Sequence, residues 1–391
     1  MSTTTQKPTS SSKCFEEALR FFIPANIAFG GKLLKELMRL HPTRNVMFSS
    51  PAILYVLAQL AVPANGDAYT QILTALNFNN VELIKCFYKR IIPIALNIPD
   101  VEYELVGKIY SDNECPLTRD FRKETKNIFT FEPKNVDFQN HKSANIINEE
   151  IAEQTNNRIV DYIKPRLLSR LKGLVMVTAE YFEGRWQKQF DPLQTQQRDF
   201  YAASKTIKLN TMYQKNKFLY TESSTLDAKI VKMEYTGKEF TLAIILPNRN
   251  QGLRDVVNKI LQPDLIMSAL DSLKMETVEI YLPIFNLTVA NRLREPLGAA
   301  NITKIFQNQT AGLEDITWCN GTYVSDILQK STLQIDEFGA GNSKITDFDS
   351  EEMSPQEDNR RSYTFRADHP FLVALIYQKI FVYIGAYIHE V

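Results

Sequence analysis

The chain contains 391 residues, of which 44% are apolar, and its 45 lysine and arginine residues equal its 45 aspartate and glutamate residues in number. This apolar content excludes an intrinsically disordered chain, and the balanced charge predicts no nucleic acid partner and no anionic membrane partner. The longest apolar runs, residues 371–377 and 380–388, are too short to span a bilayer, which takes about 18 residues.

Residues 1–27 are predicted to form a polar tail and lead-in, which opens with the low-complexity run MSTTTQKPTSSSK. This run has no hydrophobic stretch of the kind that a signal peptide needs, so the sequence favours a cytoplasmic protein. The alternative is an extracellular protein whose leader has been removed. Four sequons for N-glycosylation matter only in that second case: Asn286, Asn301, Asn308 and Asn320.

The N-terminal half shows the apolar spacing of helices. Residues 28–40 and 143–163 carry apolar side chains three and four positions apart, as on one face of a helix. Residues 51–60 are apolar nearly all round, which predicts a buried helix. Two further helices are predicted at residues 68–76 and 81–96.

From Leu174 onwards the pattern changes to that of strands. The predicted strands cover residues 174–182, 206–213, 229–235, 240–246, 277–282, 333–335, 371–377 and 380–388. Helical inserts are predicted at residues 253–261 and 290–297. Helices first and strands afterwards, without a linker rich in proline and glycine, predict one α+β domain over residues 28–391.

One long aperiodic stretch interrupts the C-terminal strands. After Ile335 come Asp336, Glu337 and a glycine-rich joint, followed by residues dense in acids, serine and asparagine, and apolar sequence resumes only at Phe371. A compact domain seldom carries an irregular loop longer than about 12–15 residues unless the loop is functional or disordered. We therefore expect residues 338–364 to form an exposed loop that carries the function.

The sequence offers no catalytic centre, so we expect a protein that is not an enzyme and that needs no metal or cofactor. There is no glycine-rich phosphate loop and no nucleophile elbow, and Glu351 and Glu352 lie where nothing would raise the pKa of either carboxyl. Four histidines lack metal-ligand spacing: His41, His141, His369 and His389. Four scattered cysteines favour free or buried thiols over disulfides: Cys14, Cys86, Cys115 and Cys319. One basic cluster favours a solvated face over a polyanion site: Lys164, Arg166, Arg170 and Lys172.

Six segments, in the same order along the chain, resemble motifs of the serpin family. They are Asn45–Pro51 at the central helix, Asn148 with Thr155–Ile159, Ala179–Trp186, Leu282–Phe285, Asp336–Gly339 and Phe365–Phe371. Within the third segment, Trp186 serves as a marker of the fold. The resemblance implies an α+β serpin fold of three β-sheets and about nine helices, with an exposed reactive-centre loop that can insert into a sheet.

The resemblance also implies a monomer whose partners are serine proteases, met as inhibitor or as substrate. Counting sixteen residues from Glu337 puts the reactive bond at Met353–Ser354, which suits an elastase-like or chymotrypsin-like protease. Arg360 and Arg361 are trypsin-like alternatives, but they lie too far along the loop. A polar switch region under the sheet aligns with four positions: Ser49, Ala52, Thr178 and Gln329.

The hinge departs from the family pattern. Its residues are Glu337, Gly339, Ala340, Gly341, Asn342, Ser343 and Lys344. In an inserted strand Asn342 and Lys344 share the face of Ala340, and the resemblance to the family implies that this face is the buried one. A buried Lys344 must find a partner or lose its proton, at a cost of roughly 4.6 kcal/mol. We therefore expect a non-inhibitory decoy, binding protein or carrier, with a working suicide inhibitor as the alternative.

Overall fold

The computed structural model describes residues 10–202, 205–341 and 362–388. Within these ranges the chain forms nine α-helices: α1 Ser10–Leu40, α2 Ser50–Ala61, α3 Gly66–Leu76, α4 Val81–Ala95, α5 Arg119–Ile128, α6 His141–Gln154, α7 Pro165–Leu168, α8 Leu253–Ile260 and α9 Pro263–Asp271. None of the helices in these ranges has the length and apolar character needed to cross a membrane.

The same ranges contain fifteen strands. They are β1 Val46–Phe48, β2 Val101–Asp112, β3 Lys134–Val136, β4 Leu174–Arg185, β5 Gln196–Tyr201, β6 Thr206–Ser223, β7 Ala228–Glu234, β8 Phe240–Pro247, β9 Lys274–Pro283, β10 Phe285–Arg292, β11 Val324–Ile335, β12 Gly339–Ala340, β13 Tyr363–Arg366, β14 Phe371–Tyr377 and β15 Ile380–Tyr387.

The strands build the three sheets that the resemblance implies. The first sheet has six strands in the order β10-β11-β12-β4-β2-β3. The other nine strands form two further sheets that share the 18-residue strand β6 and are therefore continuous in their hydrogen bonding. On one side β6 leads through β7, β8, β14 and β15 to β1, and on the other it pairs with β5 and with β9, which in turn pairs with β13. The predicted α+β serpin fold is thereby confirmed.

The buried helix predicted at residues 51–60 is confirmed as α2. Eleven of its twelve residues are buried, because the helix lies between the six-stranded sheet and β15 and has apolar side chains on every face. The Ser49 side chain caps it by accepting a hydrogen bond from the backbone N–H of Ala52 at 3.2 Å. Pro51 fits the first turn, where no intrahelical N–H partner is needed.

The first helix starts earlier than the sequence predicted. Helix α1 begins at Ser10, eighteen residues before the predicted start at Ala28, and its side chains at Ala18 and Phe22 lie in the core. The polar run of serines and threonines concealed the apolar face that follows it. Pro24, which normally ends or kinks a helix, sits inside α1.

Three further boundaries differ from the predictions. Helix α6 ends at Gln154 rather than at residue 163, and residues 285–292 form strand β10 where a helical insert was predicted at 290–297. The predicted exposed loop 338–364 is shorter at both ends, because Gly339–Ala340 and Tyr363–Arg366 are strands. Strand pairing outweighs local propensity at residues 285–292, 339–340 and 363–366, whereas residues 155–163 form turns, with positive φ at Asn156 and Asn157.

The expectation of free thiols is wrong as well, because the four cysteines form two disulfides. Cys14 in α1 is bonded to Cys86 in α4, and Cys115 is bonded to Cys319. The partners are 72 and 204 residues apart in sequence, so only the fold brings them together. Disulfides persist mainly in oxidising compartments. The sequon residues are all exposed: Asn286, Asn301, Asn308 and Asn320.

Breaking the longer disulfide should destabilise the chain measurably. For Cys115→Ser we expect the free energy of unfolding to fall by about 2–4 kcal/mol, because the unfolded chain is no longer closed into a loop. Urea denaturation measures this. The double variant Cys115→Ser/Cys319→Ser is the control and should match the single one. A reduced wild-type chain as stable as the oxidised one would contradict the pairing.

Candidate functional site: the seam between β4 and β11

The candidate site is the seam, defined as the line along which β4 and β11 meet in the middle of the six-stranded sheet. At one end of the seam the two strands are separated by β12. Ala340 pairs with Gly184 of β4 on one side and with Ile335 of β11 on the other. The Ala340 side chain is fully buried in the core. The first residues of the hinge therefore already occupy the sheet.

Glycine is required where the hinge enters. Gly339 has a φ of +155°, and a Cβ there would lie 2.0 Å from the carbonyl oxygen of Gly184. Gly341 has a φ of +80°, and its Cβ would lie 2.7 Å from the Tyr181 hydroxyl. No side chain fits either position without moving backbone or a neighbouring ring. At these two positions the gap through which the chain enters the seam has room for backbone atoms but not for a side chain.

The start of the hinge is anchored by bonds to the surrounding loops. The Trp186 indole N–H donates to the Asp336 carbonyl at 2.9 Å, and its ring stacks on Tyr235 with centroids 4.4 Å apart. The Asp336 carboxylate accepts from the backbone N–H of Gly339 at 3.1 Å. The Thr195 hydroxyl donates to Glu337 at 2.6 Å. These bonds fix the direction in which the chain leaves β11.

Beyond the hinge the seam is closed. From Leu174 to Tyr181, β4 pairs in parallel with residues 324–332 of β11. Side chains at even positions of β4, such as Met176 and Phe182, point into the main core, and those at odd positions pack in a second cluster with α6. A strand that enters the seam must therefore present one face to each of these two clusters.

Glu180 is buried in this seam and lacks a charged partner among the described residues. The Glu180 side chain is fully inaccessible, and its Oε2 accepts a hydrogen bond at 2.8 Å from the Ser331 hydroxyl directly across on β11. Its Oε1 has no hydrogen-bond partner in the described part of the chain. Burial raises the pKa of Glu180 to about 8, although the Ser331 hydroxyl opposes that rise. At neutral pH the carboxyl is mostly protonated.

The structure brings the four predicted switch residues close to the same place. Gln329 of β11 exchanges two hydrogen bonds with the backbone of Ser49, at 3.0 and 3.2 Å, and so ties the seam to the start of α2. Gln329 pairs across the seam with Thr178, and the side chains of both lie close enough to the Glu180 carboxyl to lower its pKa against the effect of burial. Ala52 is buried in the first turn of α2. Their role as a switch stays a prediction.

The rest of the predicted site lies outside the described residues. This holds for the hinge residues Asn342, Ser343 and Lys344 and for the predicted reactive bond Met353–Ser354. Arg360 and Arg361 also fall outside. In the ranges that are described, no cluster of histidine, cysteine and carboxylate side chains could hold a metal ion.

Sequence reasoning missed Glu180, although a signal for it was present. Glu180 is the single charged residue within the apolar run 174–182, and its even position puts it on the same face as Thr178 and Phe182. An acid on the core face of a strand is unusual unless it has a partner. A charged residue at an even position of this strand, and so on its core face, could have identified Glu180 as a candidate site residue from the sequence.

Replacing Glu180 should change how stability depends on pH. An unfolded glutamate has a pKa of about 4.3, so between that value and about 8 the folded chain binds one more proton than the unfolded chain. The protonated carboxyl therefore stabilises the fold fully at low pH, and this stability is lost as the pH rises towards 8, by up to about 1.4 kcal/mol per pH unit. In Glu180→Gln that loss should be absent.

Urea denaturation at pH 5.5 and pH 7.5 measures the effect. Glu149→Gln, on the exposed face of α6, is the matched control and should follow the wild type at both values. A Glu180→Gln chain that loses as much stability between the two values as the wild type would show that Glu180 does not titrate in this range.

Comparisons with known proteins give the family. The model of the family Serpin (serine protease inhibitor) matches residues 24–389. Antitrypsin of Bombyx mori is 29% identical to this chain, with 93% of both chains covered, and Alaserpin of Manduca sexta is 32% identical, with 81% of both covered. Among solved structures, Serpin48 of Tenebrio molitor has a TM-score of 0.84 at 24% identity, covering 95% of this chain and 99% of its own. Human thyroxine-binding globulin has a TM-score of 0.83 at 20% identity, covering 96% and 99%.

Proposed function

Because the chain belongs to the serpin family, we propose that it is an inhibitor of serine proteases whose loop inserts into the seam after cleavage. The observation that carries this proposal is the position of the buried Glu180 in the seam. The relative from Bombyx mori is named Antitrypsin, and inhibition of a protease, which that name implies for the relative, agrees with the proposal. The part of the loop that would insert, residues 342–349, is called the arm below.

The pairing of β12 sets the register that an inserting arm would follow. Ala340 lies between Gly184 and Ile335. Four residues further along an antiparallel strand correspond to four residues back on each neighbour. Lys344 would therefore lie between Glu180 and Ser331, and both neighbours give the same answer because Glu180 already pairs with Ser331. Because Lys344 is four residues after Ala340, its side chain would also lie on the same buried face of the strand as that of Ala340.

This register supplies the partner that the sequence analysis did not find for Lys344. An inserted lysine beside Glu180 keeps its charge, and Glu180 gives up its proton. A buried charge pair contributes little net stability, but removing one partner of such a pair costs about 3–5 kcal/mol. The cost that made inhibition look unfavourable therefore arises only if Glu180 is absent.

Further positions of the arm also match their would-be neighbours. Thr346 would lie between Thr178 and Gln329, the polar pair below Glu180. Phe348 would lie between Met176 and Ile327, both in the main core. The alternation of charged, polar and apolar residues on this face of the arm thus follows that of the seam.

Two positions favour the second candidate function, a non-inhibitory binding protein or decoy. Asn342 would lie between Phe182 and Leu333, which are apolar and fully buried. An unpaired buried amide costs about 1–3 kcal/mol. On the opposite face Asp347 would meet Val177 and Leu328 in the cluster under α6. Inhibition requires insertion to outpace release of the protease, and a barrier of about 3 kcal/mol slows insertion more than a hundredfold.

Incubation with a panel of elastase-like, chymotrypsin-like and trypsin-like proteases separates the two candidates. We expect a covalent complex that survives denaturing gel electrophoresis, formed with an elastase-like or chymotrypsin-like enzyme after attack at Met353–Ser354. Mass spectrometry of the released C-terminal peptide locates the bond. Complete nicking by every protease without any covalent band would contradict inhibition and favour the second candidate.

A pair of substitutions tests the proposed charge pair. Glu180→Gln should leave Lys344 unpaired and reduce the covalent fraction at least tenfold, because an insertion cost of even about 1.4 kcal/mol slows that step by that factor. Adding Lys344→Gln should restore the complex, since the buried charge is then gone as well. Glu149→Gln is the control and should inhibit like the wild type. A double variant as impaired as the single one would show that Glu180 acts only on the folded sheet.

A further prediction concerns pH. Insertion releases the Glu180 proton, so cleavage should stabilise the chain increasingly as the pH rises towards about 8 and no further above it. The rise in melting temperature on cleavage, measured from pH 5.5 to 8.5, should show this trend in the wild type. In Lys344→Gln, where Glu180 keeps its proton, the trend should vanish. An equal pH dependence in both would contradict the pairing.

A further inference from the structure

An exposed tryptophan lies beside a sequon for N-glycosylation in the loop before β11. Trp318 is 74% exposed, although an aromatic side chain of this size usually contributes to a core or an interface. The other tryptophan of the chain, Trp186, is only 3% exposed. Asn320, the acceptor of the sequon, follows Trp318 by two residues and is also exposed. This loop therefore presents an acceptor amide and an uncovered indole ring two residues apart.

The side chains of this segment alternate between two faces. Thr317 and Cys319 both contact Cys115, because the Thr317 hydroxyl lies 3.2 Å from the Cys115 sulfur and Cys319 is bonded to that sulfur. Thr317 is buried and forms an antiparallel bridge to the segment before α5, so the chain is extended here. Successive side chains of an extended chain point to opposite faces, which puts Trp318 and Asn320 together on the outer face. Their Cα atoms are roughly 7 Å apart in such a chain.

The backbone that carries the tryptophan and the sequon is held in place. The Trp318 N–H donates to the Pro116 carbonyl at 2.9 Å, and the Thr322 hydroxyl of the sequon donates to the Cys319 carbonyl at 3.2 Å. Gly321 turns the chain with a left-handed φ of +74°. The disulfide at Cys319 adds a covalent tie. A group attached at the sequon would therefore meet a surface that is already ordered, which lowers the entropic cost of contact.

The sequon at Asn308 has the same spacing to an aromatic residue but not the same surface. Phe306 precedes Asn308 by two residues, yet its ring is only 7% exposed. The guanidinium carbon of Arg294 lies 5.7 Å from the centre of that ring. The two remaining sequons have no aromatic residue at the corresponding position. Among the four sequons, the one at Asn320 alone combines this spacing with an exposed ring.

From this placement we infer that Asn320 carries an N-glycan whose first sugar, N-acetylglucosamine, packs on the Trp318 ring. The apolar C–H face of the sugar covers the indole and removes apolar surface from water, while its hydroxyl groups stay solvated. The two disulfides agree with this inference, because disulfides form in the oxidising lumen of the endoplasmic reticulum, where N-glycans are attached.

The attachment uses a lipid-linked oligosaccharide diphosphate as co-reactant. The side-chain nitrogen of Asn320 forms a bond to the anomeric carbon of the first sugar, and the bond between that carbon and the diphosphate oxygen breaks. The lipid diphosphate leaves with the electron pair, and the amide loses one proton. The product keeps an amide N–H and places the sugar directly beside the side chain two residues earlier.

Peptide mapping by mass spectrometry tests the attachment. The full chain is secreted from cultured eukaryotic cells behind a signal peptide, and an endoglycosidase trims its high-mannose glycans to one N-acetylglucosamine. We expect the peptide that contains Asn320 to carry the mass of that sugar in most molecules. An unmodified Asn320 in the secreted chain would overturn the inference.

Quenching of tryptophan fluorescence by acrylamide tests the stacking in the trimmed protein. Trp186 is buried, so the emission that acrylamide can reach comes from Trp318. The quenching constant should be lower in the wild type than in Asn320→Gln, because the sugar shields the ring. Asn286→Gln is the control and should be quenched like the wild type, since Asn286 pairs with Gln334 near the far end of β11. Equal quenching of the wild type and Asn320→Gln would show that the ring is not covered.

A double-mutant cycle on the trimmed protein measures the contact itself. Asn320→Gln should lower the melting temperature by about 1–4 °C when Trp318 is present, as the loss of one aromatic contact does in a large domain. In Trp318→Ala the same substitution should have no such effect, because the sugar then has no ring to cover. An equal change in both backgrounds would overturn the inference and leave the exposed ring as a contact for another protein.

Discussion

The parallel pairing of β4 with β11 must be broken before any residue beyond Gly341 can enter the sheet. That pairing includes the Glu180–Ser331 hydrogen bond, which holds a buried carboxyl at the centre of the closed seam. The hinge has reached the mouth of the seam, where two glycines let it pass. The closed sheet thus has a point where the hinge enters, a register set by the pairing of β12, and one buried carboxyl, that of Glu180, which is costly to keep without a charged partner.

In the proposed mechanism, Glu180 connects the stability of the closed sheet with the insertion of the arm. In the closed sheet it is mostly protonated at neutral pH because it is fully buried and its neighbours, the Ser331, Thr178 and Gln329 side chains, carry no charge. In the proposed inserted state it would become the counterion of Lys344. A residue that is unfavourable in one state and needed in the other lowers the free energy of the second relative to the first. In the proposed mechanism, insertion would relieve the cost of keeping this carboxyl buried without a charged partner.

The fold could be predicted from the sequence, whereas the chemistry of the seam could not. Periodicity located α2 and the strands around Leu174–Phe182, and six ordered motifs gave the family. The disulfides, the true start of α1 and the proposed partner of Lys344 were missed because each depends on residues far apart in sequence. Glu180 and Lys344 are 164 positions apart, and their proposed pairing follows only from extending the register of β12 against β4. Reasoning from the loop alone assigned Lys344 a cost without knowing what it would face.

The most direct test of the account is a crystal structure of the chain cleaved at Met353–Ser354. The account predicts that the arm forms a strand between β4 and β11 and that the Lys344 ammonium lies within about 4 Å of the Glu180 carboxylate, the distance of an ion pair. An arm that remains outside the sheet, or an inserted arm whose Lys344 side chain points away from Glu180, would contradict it.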